Sequence, residues 1–175
     1  MSTVARSKSV VLHRKRKTIA RFAYSKKVFA YDVMTPRNPF PTVDIVVELI
    51  DRPHRPIVLI ERLNPPEGWA IPGGFIDYGE PTETTARREA QEEIGLDVKL
   101  VDLLGVYSDP NRDPRHHTMS VVYIATAIGD PKAGDDAKNV RAVNVWEIPK
   151  NLCFDHDRVL HDYLQYRNYG MRPRL

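Results

Sequence analysis

The chain has 175 residues, 42% hydrophobic and 28% charged, with a formal net charge of +3. That length and composition suit one compact soluble domain with a sizeable core, and the small positive excess permits anion binding without arguing for nucleic acid. One cysteine, Cys153, excludes a disulfide framework and a cysteine zinc site; it is read as a small packing residue before the last helix. No apolar run approaches the roughly 20 residues needed to span a bilayer, and the N-terminus lacks the apolar core of a secretory signal, so the expected location is cytoplasmic.

Residues 1–40 form a basic N-terminal arm or edge strands. Arg6, Lys8, His13, Arg14, Lys15, Arg16, Lys17, Arg21, Lys26 and Lys27 crowd into it. Base-stacking aromatics are not interleaved in that run, so a solvated arm, an edge hairpin or a dimer contact is preferred to a nucleic-acid arm. Phe22, Tyr24, Phe29 and Tyr31 alternate as residues of a strand do. Pro36, Pro39 and Pro41 punctuate a loop, and residues 41–175 are expected to form the main domain.

The β-branched run 42–50 and the run 57–62 read as two strands, with a turn at 51–56 that makes them a hairpin. Pro65, Pro66 and Gly68 mark a loop. Trp69 is read as packing beneath it in preference to stacking on a base. The clearest helix spans 82–94, with Thr82 as its N-cap and Gly95 as its stop. Later strands are expected near 100–108, 118–128 and 140–147. Asp155 is expected to cap a final helix with Val159, Leu160, Tyr163 and Leu164 on its apolar face. Strands with two well-separated helices imply helices covering a mixed sheet.

Residues 73–96 carry the chemistry. Gly73 and Gly74 allow a tight turn and a close backbone approach to a ligand. On the helix, Glu89, Glu92 and Glu93 share one face, where like charges destabilise by a few tenths of a kcal/mol per pair. A hard divalent cation relieves that repulsion, and oxygen ligands suit Mg2+ or Mn2+. Ala86, Ala90 and Ile94 form the opposite, packing face. Arg88 can turn back to Glu80, a pair read as a brace of the loop over the helix. A solvated charged helix would not account for Gly74, Glu80 and Gly95 at their offsets.

These residues resemble the Nudix box, G-x5-E-x7-R-E-U-x-E-E-x-G-U, at Gly74, Glu80, Arg88, Glu89, Glu92, Glu93, Gly95 and Leu96. Ala90 is smaller than the usual aliphatic residue. The resemblance implies an α/β class fold, a Nudix-type α/β/α sandwich with a mixed sheet flanked by helices. It also implies metal-dependent hydrolysis of a nucleoside diphosphate linked to a moiety X. Glu89 and Glu93 would be the principal metal ligands, Glu92 would assist, and the Gly73 carbonyl would complete a shell. The base varies in the family: Glu89 is one candidate, and Asp136, in the acidic turn 134–138, is another. Arg62 at a strand end is placed to reach a phosphate or to sit on the surface.

The stretches 64–75 and 108–117 are similar to those of microbial ADP-ribose pyrophosphatases. Pro110 and Pro114 bracket, without occupying, the position past the box where part of that group carries a proline. Arg112 and Arg115 in the second stretch are candidates for phosphate or ribose hydroxyls, with a rigid structural turn as the other reading. The resemblance implies conversion of ADP-ribose to AMP and ribose 5-phosphate. The alternatives are a nucleoside triphosphate pyrophosphohydrolase, including oxidised dGTP cleanup, and a non-enzymatic nucleotide- or RNA-binding module. The expected partner is a small-molecule nucleotide, not a membrane or nucleic acid, and a homodimer follows by analogy alone.

Overall fold

The computed structural model describes residues 37–134 and 137–173. The basic arm, apart from its last few residues, and Asp136 lie outside the described residues.

Nine elements follow one another: β1 (Phe40–Leu49), β2 (Ile57–Arg62), β3 (Trp69–Ala70), β4 (Gly73–Phe75), α1 (Thr82–Ile94), β5 (Lys99–Tyr107), β6 (Thr118–Ala127), β7 (Ala137–Val143) and α2 (His156–Tyr169). β1 is the central strand. It runs parallel to β6 along its whole length, from Phe40 beside Thr118 to Leu49 beside Ala127. Its other edge is shared: β4 pairs antiparallel with Thr42, Val43 and Asp44, and β2 pairs antiparallel only at Glu48 beside Ile57. β2 then diverges to lie between β3 and β7, while β5 continues the sheet beyond β6. The expected hairpin of β1 and β2 is therefore joined at its base and open at its far end, because β4 occupies the first half of that edge of β1.

Alternation along the strands divides the core into two layers. Val43, Ile45, Val47 and Leu49 of β1, with Val58 and Ile60 of β2 and Ala125 of β6, pack on Ala86, Ala90 and Ile94 of α1. Val46, Ile57, Leu59, Val122 and Ile124 point the other way and pack on Val159, Leu160 and Tyr163 of α2. The result is an α/β/α sandwich around a mixed sheet. Both helices lay the apolar faces legible in their sequences against it.

The element ends show where local signals lose to tertiary ones. Pro81, not Thr82, occupies the N-cap of α1, and no side-chain cap bond forms. The Thr82 hydroxyl instead meets Tyr123 Oη at 2.7 Å. Asp155 holds the N-cap position of α2, but its carboxylate makes no cap bond; it goes to Arg112. β7 begins and ends earlier than 140–147, since Asn144 and Glu147 close a turn through backbone and side-chain bonds of 2.8 and 3.0 Å. β3 and β4 are too short for a periodic signal and exist because β2 and β1 offer them open edges. Gly95 ends α1 in the left-handed region at φ 66, where its N–H returns to the Gln91 carbonyl.

Candidate active site

A cleft of about 400 Å3 opens where β1, β4 and α1 meet the 108–117 loop and the segment before α2. Glu89, Glu92 and Glu93 line one wall, with Gly73, Gly74 and Arg88 beside them; Arg62, Arg112, Arg115 and Phe154 also line the cleft. The proposed metal and substrate residues thus line one cleft, except Asp136, which lies outside the described residues; of the bracing residues, Glu80 sits behind Arg88 and Gly95 lies away from the cleft at the end of α1.

The glycine loop touches the carboxylates directly. The Gly73 N–H donates to Glu93 Oε2 at 2.8 Å. A Cβ at Gly73 would overlap the Val43 carbonyl, so that position excludes a side chain, and one at Gly74 would displace the Glu89 carboxylate from its place. Arg88 forms the expected brace. Its Nε and Nη2 donate to the two oxygens of Glu80 at 3.2 and 3.1 Å, and Nη2 also donates to the Phe75 carbonyl at 3.1 Å. Thr85 adds a 2.7 Å bond to Glu80. The Arg88 Nη1 donates to Glu89 at 2.7 Å and Glu92 at 3.0 Å, so its guanidinium supplies positive charge to the acidic face.

The carboxylates are held under electrostatic load. Burial pushes Glu93 up to about 8 against the opposing Gly73 N–H, and the neighbouring Glu89 charge adds to the rise. Burial also raises Glu89, although Arg88 pulls it down. Buried anions of this kind call for a counter-cation. No three His, Cys, Asp or Glu side chains among the described residues converge as a preformed cage. The donor chemistry nevertheless fits a hard divalent ion: three carboxylates on one helix face, two of them destabilised as anions, beside an open cleft.

Beneath the cleft lies a buried charge cluster that sequence reasoning missed. Asp44 of β1 accepts from Arg112 Nη2 at 3.0 Å and from the Ser120 hydroxyl. Arg112 also donates to Asp155 through Nε at 3.1 Å and to Thr118 through Nη1 at 3.1 Å. His156 accepts the Ile71 N–H at Nδ1, which leaves its neutral-ring proton on Nε2, 3.4 Å from Asp44 Oδ1. Burial favours the neutral acid, but His156, Arg112 and Ser120 outweigh it and hold Asp44 at about 2. Arg112, almost fully buried, is thus committed to protein partners while lining the cleft. Arg115 is held by both oxygens of Asp113, at 3.0 and 2.8 Å. β1 carries two buried acids among apolar residues, Asp44 and Glu48, and their spacing does not say which partner meets either one. Trp69 is half-buried against the α2 layer and does not line the cleft.

A sandwich of this topology, with carboxylates of one helix facing a glycine loop, defines the class, and the comparisons place the chain within it. The model of the NUDIX domain matches residues 39–163. The chain belongs to the Nudix family and is a Nudix hydrolase. Over 152 residues it is 43% identical to a protein of Methanocaldococcus jannaschii named ADP-ribose pyrophosphatase, covering 83% of this chain and 87% of that one. A mutT/nudix family protein from Listeria innocua superposes with a TM-score of 0.64 and 32% identity, over 77% of this chain and 98% of that one. A bifunctional NMN adenylyltransferase/ADP ribose pyrophosphatase from Francisella tularensis, complexed with AMP and a manganese ion, gives 0.62 and 26%, over 73% of this chain but 42% of that one. Among the described residues no helix is long and apolar enough to cross a membrane.

Proposed function

We propose that the protein hydrolyses ADP-ribose to AMP and ribose 5-phosphate, using Mg2+ or Mn2+. The observation that carries the reading is the acidic helix face with Glu93 and Glu89 pushed up by burial, set in the same cleft as Arg62 and Arg115. The 43% identity to a protein named ADP-ribose pyrophosphatase supports the choice of substrate.

Glu89, Glu92 and Glu93 would hold the cation, and the Gly73 carbonyl is the further donor. When bound, a divalent ion neutralises diphosphate charge and acidifies water. The protein's own residues do the rest. The Gly73 N–H fixes the Glu93 carboxylate, and Arg88 steadies Glu89 and Glu92 from Glu80. Arg62 and Arg115 bring positive charge to the diphosphate and its sugar. Arg112 holds the 108–117 loop in place through Asp44 and Asp155. A water oxygen attacks one phosphorus in line, the bridging P–O bond breaks, and the water proton passes to a carboxylate, Glu89 or Asp136. Two copies of the chain would form a homodimer.

Incubation with ADP-ribose and Mg2+ should release AMP and ribose 5-phosphate in equal amounts, with a higher kcat/KM than for dGTP or its oxidised form. Absence of AMP, or preferential release of pyrophosphate from a triphosphate, would refute the substrate. Glu89→Gln and Asp136→Asn, assayed side by side, identify the base by which one loses the ascending, acidic limb of the rate profile.

A further inference from the structure

Phe154 precedes α2 with φ 59, in the left-handed region where a bulky aromatic is an outlier. Its half-buried ring lines the cleft, and two guanidinium groups lie over it: Arg62 at 5.0 Å and Arg115 at 5.2 Å from the ring centroid. Arg62 ends β2 where the pairing with β7 shifts register, an irregularity that turns a side chain out of the ladder. Its Nε donates to the Pro66 carbonyl at 3.0 Å. Among the described residues no carboxylate stands within ion-pair distance of Arg62, whereas Arg115 is paired with Asp113. An arginine left to itself samples many rotamers, and ordering it costs free energy. An aromatic face restricts it without neutralising it, which a carboxylate would do.

The neighbours of Phe154 are fixed on every side. Cys153 bonds the Trp69 carbonyl through its N–H, Asp155 holds Arg112, and His156 accepts from Ile71. The chain is therefore constrained to carry the unfavourable φ, and strain retained in this way gathers at functional sites.

We infer that Phe154 is a positioning residue: its ring holds the guanidinium group of Arg62 in the cleft, where it takes an anionic oxygen of a nucleoside diphosphate substrate, while Arg115 on the same ring is already fixed by Asp113. This rests on the proposed diphosphate hydrolysis.

Phe154→Leu, Phe154→Asn (Asn tolerates the left-handed region) and Phe154→Tyr test it. ADP-ribose binding is measured by calorimetry in EDTA, and steady-state kinetics with Mg2+. Leu and Asn should raise Kd and KM roughly tenfold with kcat within about twofold, and Tyr should restore both. In an Arg62→Gln background the Phe154→Leu change should add little, because ring and guanidinium act together. Unchanged Kd and KM in folded Leu or Asn variants, or full additivity with Arg62→Gln, would overturn the inference. Should the wild-type protein neither bind nor cleave ADP-ribose, the substrate assignment falls. The same series titrated with ADP then decides the role of the ring by the same criterion.

Discussion

Glu93 is the residue on which the acid-base behaviour of the cleft turns. Its carboxyl is raised to about 8 while the unfolded chain holds it at its ordinary value of 4.5. An acid raised on folding contributes a cost absent below 4.5, growing as pH rises, and complete above about 8. At neutral pH a cation must displace a proton from it, so metal affinity should rise by up to about tenfold per pH unit until pH reaches about 8 and then level off. Calorimetry of Mn2+ binding in buffers of different ionisation enthalpy measures the released proton. Glu93→Gln should flatten the pH dependence and lower kcat by at least about a hundredfold. Asp44 has the opposite sign. Held at about 2 against an ordinary 3.8, it stabilises the fold above 3.8, and that contribution, roughly 2 kcal/mol, is lost as pH falls from 3.8 to 2. Asp44→Asn should therefore flatten the acid limb of a melting curve measured against pH. Gly74→Ala should leave secondary structure intact yet abolish turnover, since the new methyl group displaces the Glu89 carboxylate.

Among the elements, α1 was legible almost entirely, because its signals are local. The spacing of Ala86, Ala90 and Ile94 gave the packing face, and Gly95 marked the stop. Gly95→Ala should cost about 1 kcal/mol by chemical denaturation, the penalty of a left-handed conformation for an L residue. The start of α2 was not legible in the same way. Asp155 reads from sequence as a helix cap, the commonest use of that residue type at that place. Only the arrival of Arg112, brought from a distant loop, gives its carboxylate a stronger partner. Asp44 and Phe154 were hidden for the same reason: their partners lie on other elements, and spacing along the chain carries no trace of them. Asp155→Ala should destabilise by roughly 3 kcal/mol, by leaving the buried Arg112 guanidinium short of a carboxylate. Thermal melts of Asp155→Ala and Asp155→Asn measure it, and loss of activity should accompany the loss of loop anchorage.

For the whole molecule, the two core layers were foreseeable from alternation, since each strand sorts its residues between α1 and α2. Strand order was not foreseeable, because it is set by which edges remain open. Cation binding to the folded state alone should raise the melting temperature, by an amount equivalent to about 2.7 kcal/mol at a hundredfold excess over Kd; EDTA should reverse it. The parallel seam between β1 and β6 has a further consequence. Phe40 meets Thr118 and Leu49 meets Ala127, so both short strands, the acidic helix and β5 lie between the two halves of the seam. The central strand cannot acquire that neighbour until about two-thirds of the domain has emerged from the ribosome. Until then an apolar edge waits exposed, and refolding from denaturant should be slow, on the millisecond-to-second scale of chains dominated by distant pairings.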